Sequence, residues 1–133
     1  MLVGAYNNQW TMRLAGGLRF YFKSGTDEAI LDHEHPEIAW ERDPALPYSS
    51  ADDYALISRF RDPTTDSMIY MVAGSGRNGT EAAAQFVTNP RFLELLKQQV
   101  GPDWMKKNVE AVIKTHVIDG RTGAPSIVAV HSW

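Results

Sequence analysis

Leu18-Arg-Phe-Tyr-Phe-Lys23 alternates strictly, which puts Leu18, Phe20 and Phe22 on one face and predicts a half-buried strand. Tyr54–Phe60 and Met68–Ala73 are β-rich runs joined by a segment containing Asp62-Pro63, and they predict a hairpin. Met68–Ala73 is continuously apolar, as in a strand covered on both faces. Thr80–Thr88 then changes period, with Ala83, Phe86 and Val87 at helical spacing. Pro90 suits the first turn of a second helix that runs to Val100 and is stopped by Gly101-Pro102. Val109–Ile118 and Ser126–Trp133 predict a final antiparallel hairpin. In its first strand Val109, Ala111, Ile113, Thr115 and Val117 are buried, while Glu110, Lys114 and His116 face outward. The sparse polarity of Ser126–Val130 places the last strand inside the sheet. As an edge it would instead be the first candidate for a dimer contact, with Trp133 at its border.

The N-terminal part is less regular. Asn7–Gly17 reads as a short helix with an Asn cap and a Trp10/Leu14 pair, or as a strand through Trp10, Met12 and Leu14; the helix is favoured. Residues 24–52, interrupted by Pro36, Pro44 and Pro47, predict a long irregular connection. A short strand at Ala29–Asp32 is allowed, with Ile38 and Trp40 pinning the segment to the core. A strand followed by helices and another strand suggests a right-handed crossover and a locally parallel pair. The expected fold is α/β: one layer-sandwich domain over residues 1–133, with a mixed sheet of about five strands and helices on at least one face.

Composition narrows the function classes. A chain of 133 residues suits one domain and can bury ~65–70% of its unfolded surface. With no cysteine there is no disulfide framework, thiolate metal site or thiol nucleophile, though the compartment stays open. The net charge of −3 argues against nucleic acid as a partner. No apolar run approaches the ~20 residues of a membrane span, so membrane insertion of this segment is not expected. The acids concentrate in residues 27–53, nine of them against the one base Arg42.

Gly74-Ser75-Gly76-Arg77-Asn78-Gly79-Thr80 matches a G-x-G-x-x-G pattern between a strand and a helix. Glycines there permit a tight turn, and the helix start offers free amides to an anion; positive φ is expected at Gly74, Gly76 or Gly79. The acid that a dinucleotide site requires about 20 residues further on is missing, so no nicotinamide or flavin cofactor is expected. The simpler alternative is a structural turn with Asn78 capping the helix and Glu81 closing the cap. Ser75, Asp119 and His131 follow one another in hydrolase order, but the elbow pattern G-x-S-x-G is absent. His33 and His35 lie amid carboxylates without a spaced third ligand, so no metal is expected. Trp104-Met-Lys-Lys107 reads as a solvated basic patch.

Asn8-Gln-Trp-Thr11, Asp53–Phe60, Gly74–Ala84, Lys106–Ile113 and Gly123–Trp133 together resemble an uncharacterised bacterial α/β domain. The resemblance spans nearly the whole chain and brings no catalytic residue. It also implies a C-terminal module of longer proteins, in which case Met1 need not be the native start and the default cytoplasmic location is less secure. The chain is therefore expected to be a non-enzymatic sensory or interaction domain. A small polar or anionic ligand, or a partner, would dock at Gly74–Thr80, and a homodimer is allowed. The alternative is a small hydrolase-type enzyme using the same loop with His131 and Asp119.

Overall fold

The strands sort their side chains between two separate cores. The computed structural model describes residues 2–3, 17–23 and 29–133, the first two in backbone only. The choice between helix and strand over residues 7–16 lies outside the described residues. The described strands are β1 (Leu2–Val3), β2 (Phe20–Phe22), β3 (Ala29–Asp32), β4 (Ala39–Glu41), β5 (Asp53–Asp62), β6 (Ser67–Gly74), β7 (Val109–Thr115), β8 (Val117–Ile118), β9 (Arg121–Thr122) and β10 (Ser126–Ser132). Two helices, α1 (Arg77–Thr88) and α2 (Pro90–Val100), and a 3-10 turn at Trp104–Lys106 lie between β6 and β7.

The strands form a mixed sheet in the order β1-β6-β5-β7-β10, an antiparallel sheet β2-β3-β4, and the small hairpin β8-β9. The α/β class therefore holds in its coarse sense of mixed sheets with two helices, and strands predominate. On one face of the main sheet Ala55, Ile57, Val72, Val109, Ala111 and Ile113 pack with Ala83 and Phe86 of α1 and Leu96 of α2. On the other face Leu56, Met71, Ala73 and Val112 pack with Phe20, Phe22 and Ile30 of the small sheet. Phe20 and Phe86 are almost wholly buried, each contributing on the order of 2–3 kcal/mol of transfer free energy.

Several expectations are corrected. The short strand allowed at Ala29–Asp32 is present as β3, but Ala39–Glu41 is not irregular, because β4 joins β3 and β2 in a sheet that covers the main one; Trp40 does reach the core, edge-on to Phe20 at 5.6 Å. β6 and β7 run parallel but are not neighbours, since β5 lies between them and pairs antiparallel with both. Among the described strands of this sheet the parallel pair is β1 with β6. Only the C-terminal half of β6 is covered on both faces, while Met68 and Tyr70 are exposed. Glu110, expected to face water, is buried, because the small sheet covers the face it points to. Among the described strands β10 is an outer strand rather than an inner one, with Val130 opposite Ala111 as its pattern implied and a bulge at Val128.

Candidate ligand site

The glycine-rich loop is the strongest sequence signal, and the structure gives its glycines a different purpose. The described glycines with positive φ are Gly101 and Gly120, and Gly76 is extended at φ −127°. The expectation of positive φ in the loop is therefore overturned. The glycines serve close approach instead: a Cβ on Gly79 would lie 2.1 Å from the Tyr54 carbonyl oxygen, and one on Gly74 would lie 2.1 Å from the Thr80 nitrogen. A side chain at Gly76 would run into the Asp53 carboxylate.

That carboxylate stands at the helix start where an anion was expected. Asp53 Oδ2 accepts from the buried Gly79 amide at 2.8 Å, and Oδ1 accepts from the Tyr54 amide at 2.8 Å. The α1 N-terminus thus meets an anion supplied by β5, which satisfies both its free donor and its partial positive charge. Asn78 does not cap the helix. It donates to the Gly120 carbonyl and to Thr122 Oγ1, while Thr122 Oγ1 donates to Glu81. Arg77 is exposed and pairs with Glu81, at 3.5 Å. Thr80 Oγ1 donates back to the Gly76 carbonyl, and Ser75 is buried with its hydroxyl unpartnered. The loop is a joint between the main sheet, α1 and the β8–β9 hairpin.

The hydrolase set does not assemble. Ser75 lies level with Tyr54 and Lys114, whereas His131 pairs with Glu110, four positions along and three strands across. At ~3.3 Å per residue and ~4.8 Å per strand that separation is roughly 20 Å. Asp119 belongs to the β8–β9 turn beside the loop, far from His131. His33 stacks on Tyr21 at 3.9 Å and His35 approaches Glu37 at 3.2 Å. Among the described residues no three His, Asp or Glu groups converge as metal ligands.

Two other places carry charge in unusual surroundings. Between the sheets, Arg19 grips Asp32 with Nε at 3.0 Å and Nη2 at 3.1 Å, and reaches Glu34 at 2.9 Å. Next to it Glu110 is fully buried. Its Oε1 accepts from the Phe20 amide at 2.8 Å, its Oε2 has no partner, and burial pushes its pKa up to about 8. His131, opposite Glu110, is pushed down by burial and by the Arg19 charge, and it stacks on Trp133 at 5.1 Å. The pocket of about 580 Å³ at this end has Arg19 and Arg61 in its wall, but Asp32 and Glu34 already neutralise the first and Asp66 the second.

On the helix face lies a cavity of about 240 Å³ with almost wholly apolar walls, including Ile57, Val72, Val87, Leu93, Leu96 and Val109. Strands and helices supply those walls, so the shape is held by regular structure. Arg59, Tyr70 and Trp104 also line it. Arg59 Nη2 donates to the carbonyls of Trp104 and, at 3.0 Å, of Lys107; its guanidinium sits 4.9 Å from the centre of the Trp104 ring. Trp104 is thus not a solvated patch residue, because Arg59 draws it against the sheet. These residues were missed in the sequence, yet a signal exists: after Ala55 and Ile57, Arg59 continues the apolar face of β5 with a cation.

No protein-family model, curated protein or solved structure matches the chain. No helix among the described residues is long and apolar enough to cross a membrane.

Proposed function

We propose that the chain is a non-enzymatic, sensory or interaction domain that binds a small ligand in the apolar cavity between the main sheet and its helices. On this reading residues 1–133 act as one layered α/β domain, and Gly74–Thr80 is a structural joint rather than the ligand site. The observation that carries the reading is the cavity itself: about 240 Å³, apolar, and walled by strands and helices. An apolar pocket with a few polar groups on a rigid scaffold is the usual form of a small-molecule site. As a partner contact we propose that the edge of β10, which pairs with no other described strand on that side, pairs with a second copy.

The direct test is titration of the full chain with small aromatic and aliphatic compounds, read by tryptophan fluorescence and calorimetry. Binding should shift the emission in the parent and leave it unshifted in Trp104→Phe. Leu93→Trp, which fills the cavity, should abolish binding with little loss of fold. Binding that survives Leu93→Trp would remove the cavity from consideration.

A further inference from the structure

We infer that the cavity takes a small apolar acid, an aromatic ring or short aliphatic chain ending in one carboxylate, with the carboxylate held by Arg59. The inference rests on the reading of that cavity as the ligand site and adds the ligand's chemical class.

Arg59 stands out by the nature of its partners. Arg19, Arg61 and Arg77 each meet a carboxylate. Arg59 meets two peptide carbonyls, the Met105 sulfur at 3.6 Å and the Trp104 ring, all uncharged. No acidic side chain among the described residues lies within ion-pair distance of it. Its Nε is buried and has no hydrogen-bond partner. Beside the apolar wall stands a cation that meets no carboxylate among the described residues, and its Nη side is partly open to solvent. One ligand carboxylate on that open side would supply the missing counter-charge through a charge-assisted bond.

Size and lining decide the rest of the ligand. About 240 Å³ exceeds the ~150 Å³ cavity that admits benzene, so a ring with a two- or three-carbon acid chain fits. The apolar walls give no partner to the hydroxyls of a sugar. Trp104, already under the guanidinium, gives an aromatic ring a surface to pack against.

The experiment compares 3-phenylpropionate with the neutral 3-phenylpropanol, by calorimetry on the full chain. The parent should prefer the acid by about tenfold or more, the value of one charge-assisted contact over a neutral one. In Arg59→Met that preference should vanish, while the alcohol binds within about twofold of its parent affinity. If Arg59→Met does not fold, Arg59→Lys decides, since it keeps a charge but lacks the planar fork that grips a carboxylate with two N–H groups; the preference should drop at least about threefold. Equal binding of acid and alcohol to the parent, or an acid preference unchanged in the variant that folds, overturns the inference and leaves the cavity reading intact. If neither compound binds at millimolar concentration, the cavity reading fails and takes the inference with it.

Discussion

Glu110 occupies the β7 position where strict alternation calls for a solvated acid, yet the small sheet closes over it. With one amide for a partner, the carboxyl is held neutral, its pKa raised by burial from 4.5 to about 8. The folded protein therefore binds a proton that the unfolded chain has released across this range. The stabilisation this gives is complete below pH ~4.5 and is lost as the pH rises towards 8. The loss should amount to a few kcal/mol, on the order of 1.4 for each pH unit of the range. Urea denaturation at pH 5, 6.5 and 8 should show the parent weakening steadily. Glu110→Gln keeps the acceptor without a proton to lose, so the decline should disappear, leaving at most the rise between pH 5 and 6.5 that the lowered His131 contributes, and the variant should be clearly more stable than the parent at pH 8. A parent whose stability rises from pH 5 to 8 would contradict the burial of this carboxyl. Ser58, opposite Glu110, also has a buried, unpartnered hydroxyl, so Ser58→Ala should be neutral or slightly stabilising.

At the scale of elements, the loop Gly74–Thr80 separates two reasons for placing glycine. Asp53→Ala removes the acceptor of a buried helix-start amide, and a loss of about 1–3 kcal/mol is expected. Gly79→Ala should cost more, roughly 3 kcal/mol or above, because its Cβ would force α1 away from the Tyr54 carbonyl. Thermal denaturation of both variants checks the order; a neutral Gly79→Ala would mean that α1 does not approach β5 this closely. Such local features explain what the sequence revealed. The β5–β6 hairpin, the Pro90 helix start and the β7–β10 pairing each depend on neighbouring residues, and their patterns were legible. The start of α2 is an example, with Pro90 in its first turn as the sequence predicted. What stayed hidden depends on distant parts of the chain. Alternation assigns Glu110 and Arg59 to faces of their strands but does not say which element covers each face. Asp53 lies 26 residues before the amide it caps, a distance at which no motif joins them.

For the molecule as a whole, the question is what the main sheet does with its edges. Among the described strands the outer ones are β1, of two residues, and β10, of seven. Edge strands are usually guarded by lysine, proline or a bulge. Ser126–Ser132 has no acid, lysine, arginine or proline, and its guard is the bulge at Val128, which leaves Ala129–Ser132 in regular register. Asn108 and Trp133 exchange backbone hydrogen bonds at 2.9 and 3.0 Å, which fixes the phase of the ladder: the amides of Ser132 and Val130 point away from β7 to the open side. Two copies of this edge can pair antiparallel about a twofold axis without bringing like charges together. The proposed outcome is a concentration-dependent dimer in light scattering, with slowed hydrogen exchange at Val130 and Ser132 as it forms. Ser132→Pro removes one outward amide without breaking the ladder to β7, so it should weaken the dimer and leave the monomer's melting temperature nearly unchanged. A dimer equally strong in Ser132→Pro would place the contact elsewhere. A strict monomer with fast exchange at both amides would show that the Val128 bulge is sufficient to keep this edge single.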